Sequence, residues 1–225
     1  MGEFFSTYSD LFSVIGLSLY VSLTATVIAS ILGILSGIPF ALHEFKGKGI
    51  IERISDTLLS MPPVLLGLLV YLLLSRKGPL GDLRLLFSPT AMIISQVLLV
   101  TPIVFTLVKN AVGTRGLAVQ KTAYFLGAGK RDTYGLIIKE CSNDFFTAVT
   151  NGFGRAISEV GAVMMVGGNI KGHTRVMTTY IAMETGKGNF DEAVIIGLIL
   201  LIIAFFVNFL LYLFKRRSVN GNRST

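Results

Sequence analysis

Long apolar runs alternate along this chain with short polar, basic segments, and the runs lack the regular polar face of a helix on a soluble protein. Five of them approach or exceed the roughly 20 residues that a helix needs to cross a bilayer. They predict spans over 12–42, 54–75, 89–108, 145–166 and 193–214. The first is long enough to need tilt or an extension beyond the lipid. Its Ser18, Ser22, Ala25, Ser30, Gly33, Ser36 and Gly37 are small enough for helices to approach closely in a membrane. Pro62 and Pro63 remove backbone donors and predict a kink in the second span, and Pro102 predicts a bend in the third. The fold class is therefore all-α, a polytopic membrane bundle of about five transmembrane helices in one domain over residues 1–225.

Two polar segments are too organised for simple connections. About 35 residues separate the third and fourth spans, more than a plain connection uses. Within 115–140, Ala123, Leu126, Ala128 and Tyr134 can share part of a face, with Lys130, Arg131 and Asp132 nearby. Gly127 and Gly129 favour a sharp turn. The segment predicts a helix–turn–helix that protrudes from the membrane, although an ordinary amphipathic loop helix has a similar pattern. The second segment, Thr174 to Glu184, is too short and polar to span. It predicts a short helix on the outer surface or dipping into the bundle, between Gly172 and Gly186.

Composition agrees with the pattern: 52% of residues are hydrophobic and 15% are charged. The net charge of +7 sits in loops and the tail rather than on a stripe interleaved with aromatics, so nucleic acid is not an expected partner. One side of the membrane collects Lys46, Lys48, Arg53, Lys109, Arg115, Lys121, Lys130, Arg131, Lys139, Lys215, Arg216, Arg217 and Arg223. The other holds about half as many, Arg76, Lys77, Arg84, Lys171, Arg175 and Lys187. The positive-inside rule then places the N-terminus outside and the C-terminus in the cytoplasm. Before residue 12 there is no basic stretch of the kind that precedes a cleavage site, so the first span is expected to persist in the mature protein. A single cysteine, Cys141, excludes an internal disulfide, and the two histidines, His43 and His173, lie in separate loops with no metal-ligand spacing.

Arg155 and Glu159 are the charges placed clearly inside a span, where a charge is costly and normally faces protein or water. Four residues apart, they share a helix face and can pair. They can fix the packing of the fourth span. Alternatively, Arg155 draws an anion into a pathway and Glu159 keeps it from being trapped, since binding in a conduit must permit release. Gly152, Gly154 and Gly161 allow close helix approach, and Gly167 and Gly168 are expected to end the span. Gly161 and Met164, with Met165 and Val163, are pathway or gate candidates by position.

The stretch Thr122-Ala123-Tyr124-Phe125-Leu126-Gly127-Ala128, with Ile137 ten residues after Gly127, resembles the coupling segment of ABC importer permeases. That pattern opens Glu-Ala-Ala and closes Ile-x-Leu-Pro; here Lys121 and Thr122 stand for the Glu and first Ala, and Lys139-Glu140 for the Leu-Pro. The run from Gly152 to Ile170, together with Met61-Pro62-Pro63 and Gly67, resembles the molybdate/tungstate/sulfate branch. The segment Gly172 to Thr179 is most similar to its tungstate permeases, and the likeness extends over about residues 15–214. The resemblance implies a transport subunit rather than an enzyme. It implies a homodimer with a second permease copy, cytoplasmic ATP-binding subunits that use the ATP, an extracytoplasmic oxyanion-binding protein and surrounding lipid. It makes Ala123, Leu126, Gly127, Ala128 and Asp132 the expected ATPase-docking residues. No cofactor is expected in the chain itself, which has no Gly-x-x-x-x-Gly-Lys-Ser/Thr run. An ion-gradient transporter is the alternative class. It would be expected to show internal repeats and more titratable groups at mid-membrane than Glu159 alone.

Overall fold

The computed structural model describes the backbone of residues 2–221 and the side chains of residues 10–213. The chain forms α1 (Gly2–Leu42), α2 (Lys48–Leu59), α3 (Pro63–Leu74), α4 (Pro89–Ala111), α5 (Leu117–Phe125), α6 (Lys130–Glu140), α7 (Ser142–Ile157), α8 (Gly161–Gly167), α9 (Met177–Lys187) and α10 (Phe190–Gly221). There is no strand among the described residues, as the all-α reading requires. Three stretches are long and apolar enough to cross a membrane by length and composition: Asp10–Leu42, Pro89–Phe125 and Phe190–Leu213. A fourth crossing requires α2 and α3 taken together.

The interior of the second expected span is not a kink but a corner. The axes of α2 and α3 differ by 104°. A residue before proline is driven out of the helical region, and Pro62 itself is extended, at φ −60° and ψ 125°. The helix therefore stops at Leu59 and restarts at Pro63, whose missing donor costs nothing in a first helical turn. The expected span 145–166 also differs. It is divided into α7, of 16 residues, and α8, of seven, neither of which reaches spanning length. The third span runs through Pro102 as one helix. It then passes a π-helical segment at Val112–Gly116 into α5, giving 37 continuous residues.

The core forms where α1, α4 and α7 meet. Val100, Val104 and Val108 recur every four residues along α4 and are fully buried, so they form one ridge. Glycines face that ridge. A Cβ built on Gly33 would lie 2.8 Å from Val104, one on Gly37 2.9 Å from Val108, and one on Gly152 2.9 Å from Val100. The expected role of the small residues in close packing is met at these positions. Gly154, expected to share it, faces open space.

Apart from Arg155–Glu159, the ion pairs divide between the two ends of the bundle. At one end Lys109 lies 3.7 Å from Glu52 and Arg115 3.1 Å from Asp144, close to α5 and α6. At the other, Lys171 reaches Asp10 at 2.6 Å. The basic tail residues Lys215, Arg216, Arg217 and Arg223, used in the charge count, lie outside the described side chains. The polar segment around 174–184 does dip inward. α9 starts with Met177 fully buried, its amide donating to Ser18 Oγ of α1 at 2.8 Å, and ends exposed near Gly188. There Lys187 and Asn189 hold the Glu184 carboxyl below its usual range. Burial, then the hydrogen bond to Glu192, raises the Tyr180 hydroxyl to about 12.

Gly33→Leu should destabilise the bundle by about 1–3 kcal/mol, because the side chain must displace a buried valine. Gly16→Ala, where nothing lies within 4 Å, should not. Thermal unfolding of the two variants in detergent checks the contrast.

Candidate functional site

Two places hold the candidate chemistry: the polar break between α7 and α8, and the exposed turn between α5 and α6. At the break, α7 ends at Ile157 and α8 begins at Gly161. Glu159 stands in the gap with 2% of its side chain exposed, and Arg155, one turn earlier, is 33% exposed. Their side chains meet at 2.7 Å, as the four-residue spacing predicts. The second carboxylate oxygen, Oε1, accepts the Ala162 amide at 2.9 Å. The carboxylate thus neutralises the arginine and satisfies one of the free donors at the start of α8.

The backbone around the break is partnered from other helices. The Ala156 carbonyl accepts from the Glu159 amide at 3.2 Å and from Gln96 Nε2 of α4 at 3.0 Å. The Glu159 carbonyl accepts from the Thr178 hydroxyl of α9 at 2.9 Å. Gln96 did not stand out in the sequence, and Thr178 did so only as part of the polar segment 174–184. Gln96 is one polar residue in an apolar run, Thr178 is one of several in a polar segment, and the partners of both lie far away along the chain.

Gly161 and Gly67 bring α8 against α3. A Cβ on Gly161 would fall 2.6 Å from Val64, and one on Gly67 would fall 2.6 Å from the Ala162 Cα. Met164 is 37% exposed on α8, whereas Val163 is buried. Gly167 and Gly168 end this helix as expected, with Gly168 at φ +71°.

At the turn, Gly127 takes φ +75°, a left-handed conformation that glycine adopts without steric cost. Its amide donates to the Tyr124 carbonyl at 3.1 Å, and the Ala128 amide to the Ala123 carbonyl at 2.9 Å. These bonds close α5 and reverse the chain into α6. Tyr124, Phe125 and Leu126 are then 79%, 86% and 80% exposed. Asp132, exposed in the first turn of α6, suits the positive end of that helix. Ala128 is half-buried. Ala123, expected among the docking residues, is only 2% exposed, so its side chain supports the turn from beneath. Tyr124 and Phe125 take the outer surface instead.

Arg155→Met should cost about 3–5 kcal/mol, because it leaves a buried carboxylate without its cation. Glu159→Gln should cost nearer 1 kcal/mol, because an amide oxygen can still accept from Ala162 and the partly exposed Arg155 can turn to water. Thermal unfolding in detergent orders the two.

Known proteins resemble this chain in sequence and in fold. The tungstate uptake system permease protein TupB of Peptoclostridium acidaminophilum is 46% identical over 203 residues, covering 90% of this chain and 89% of its own. The TupB of Campylobacter jejuni is 39% identical over 176 residues, 77% and 72% of the two chains. The crystal structure of an amino acid ABC transporter with histidines has the same fold. Its TM-score is 0.72 at 15% identity, over 96% of this chain and 97% of that one. Residues 11–220 match the family described as the binding-protein-dependent transport system inner membrane component, and with its exposed turn and its helices of membrane-spanning length this chain is a member of that family.

Proposed function

We propose that this chain is the permease subunit of an ATP-driven importer for a tetrahedral oxyanion, tungstate. Two copies form the conduit, separate cytoplasmic subunits bind and hydrolyse the ATP, and an extracytoplasmic protein delivers the anion. The chain crosses the membrane five times, with α2–α3 and α7–α8 each forming one broken crossing. The N-terminus lies outside, and α5 and α6 project into the cytoplasm. The identity to tungstate uptake permeases supports the choice of anion.

The observation that carries the reading is the turn at Gly127. Three adjacent large apolar side chains, Tyr124, Phe125 and Leu126, are held almost fully exposed at the end of the bundle that gathers Lys109, Arg115, Lys121 and Lys130. A protein seldom leaves such a cluster open unless a partner covers it. An ATPase groove that receives the turn pushes on α5. The 37-residue helical stretch from Pro89 to Phe125 carries that push into the bundle. Between the cytoplasmic turn and the outer end, the Arg155–Glu159 pair puts a partly exposed guanidinium beside a buried carboxylate. In the open pathway the guanidinium attracts the oxyanion. The carboxylate already pairs with it, so the anion meets a partly neutralised site and is not retained.

The test is tungstate uptake by membrane vesicles containing the whole transporter. Gly127→Asp should insert normally, since a Cβ there meets nothing within 4 Å, and should lower uptake at least about tenfold by placing a charge in the docked turn, a loss equivalent to roughly 1.4 kcal/mol. Gly127→Asn, similar in shape and tolerant of the same backbone region, should lose less. Normal uptake by the Asp variant would remove the turn from the mechanism. Competition with excess molybdate and sulfate in the same vesicles then reads which anion the importer prefers.

A further inference from the structure

We propose that Gln96 and Thr178 are positioning residues for the Arg155–Glu159 pair, holding the break between α7 and α8 in place from two different helices. The inference deepens the pathway reading given above and rests on it for its consequence in transport.

A helix that ends inside a membrane leaves carbonyl groups with no partner from its own next turn and no water nearby to replace it. At the end of α7 some are met locally: Ser158 donates its hydroxyl to the Gly154 carbonyl at 2.8 Å. Two take a bond from another helix, the Ala156 carbonyl in addition to its local one from the Glu159 amide. Gln96 donates to the Ala156 carbonyl, and Thr178 donates to the Glu159 carbonyl. The first lies in the last turn of α7 and the second within the gap, on the residue whose carboxylate pairs with Arg155. Rotation of either peptide unit would swing Glu159 away from both Arg155 and the Ala162 amide.

Each holder is itself anchored. Thr178 follows Met177, whose amide is fixed on Ser18 of α1, so α9 presses on the break from a docked start. Gln96 lies on the helical stretch that runs on to Phe125, which makes it the point where the helix bearing the exposed turn grips the break. Gln96 is buried, and its Oε1 has no hydrogen-bond partner among the described residues. Leucine or methionine would fill that space without leaving a buried acceptor unsatisfied. The amide is therefore expensive as packing and is accounted for by the carbonyl it holds.

The test uses the complete importer, purified and reconstituted, with Thr178→Val, Thr178→Ser and Gln96→Met. Two quantities are read: backbone amide exchange over residues 156–164, with 131–140 as an internal reference, and tungstate uptake at matched protein levels. Thr178→Val and Gln96→Met should speed exchange about tenfold at the break, the scale expected for one lost buried hydrogen bond. The reference segment should not change, and Thr178→Ser should restore the native rate. Uptake should fall with exchange in both variants and recover in the Ser variant.

Unchanged exchange at the break overturns the proposal, whatever happens to uptake. So does a rise spread equally over the reference segment, or failure of both variants to accumulate, because either shows a general folding role. Faster exchange confined to the break, with normal uptake, supports the positioning role and instead sinks the pathway reading of Arg155 and Glu159.

Discussion

A buried backbone amide or carbonyl cannot fall back on water, so a helix that stops in the interior must find its partners within the protein. The break between α7 and α8 imposes that requirement on the whole bundle. It draws Gln96 from α4, Thr178 from α9 and Arg155 from α7 to one place, and it aims the Glu159 carboxylate at both the arginine and the first turn of α8. α9 is buried at its start because one of those partners is on it. Ser18 of α1 is buried for a related reason, since it supports the first amide of α9.

Close packing supplies the rigidity that this arrangement needs. The valine ridge of α4 lies against glycines of α1 and α7, and Gly67 and Gly161 bring α3 and α8 to a distance at which a single added carbon would collide with backbone or side chain. In lipid, helices gain little from burying apolar surface that was already in hydrocarbon, so contact of this kind, together with interhelical hydrogen bonds, takes over. The same α4 that provides the ridge also provides Gln96 and leads into the exposed turn at Gly127. One helical stretch thus links the packed core, the buried polar cluster and the exposed turn.

Much of this was legible in the chain. The apolar runs marked the helices because every backbone group in a membrane helix is satisfied locally. The spacing of Arg155 and Glu159 predicted their pairing, since four residues make one helical turn. Gly127 marked the turn by its freedom to take positive φ, and the small residues of α1 marked a close crossing. Two expected spans turned out to be broken, one where a kink was expected and one where none was. At Pro62 and Pro63 the signal was present, but two successive prolines produce a corner of 104° where one commonly gives a kink. At Ser158–Val160 there was no proline at all. Ala123 read as surface because it sits in the segment that resembles a docking motif, and it proved buried beneath the turn.

The sequence by itself determined the environment of the protein, its helical class, the location of its polar loops and the pairing of neighbours along one helix. All of these follow from local spacing and from the preference of residues for lipid or water. Tertiary structure alone decided where α7 stops. Nothing within a few residues of Glu159 forbids another turn of helix. At the break, Gln96, 60 positions before Ala156, and Thr178, 19 after Glu159, donate hydrogen bonds to the backbone. Contacts between residues so far apart leave no periodic trace in a sequence, and they exist only once the helices have packed.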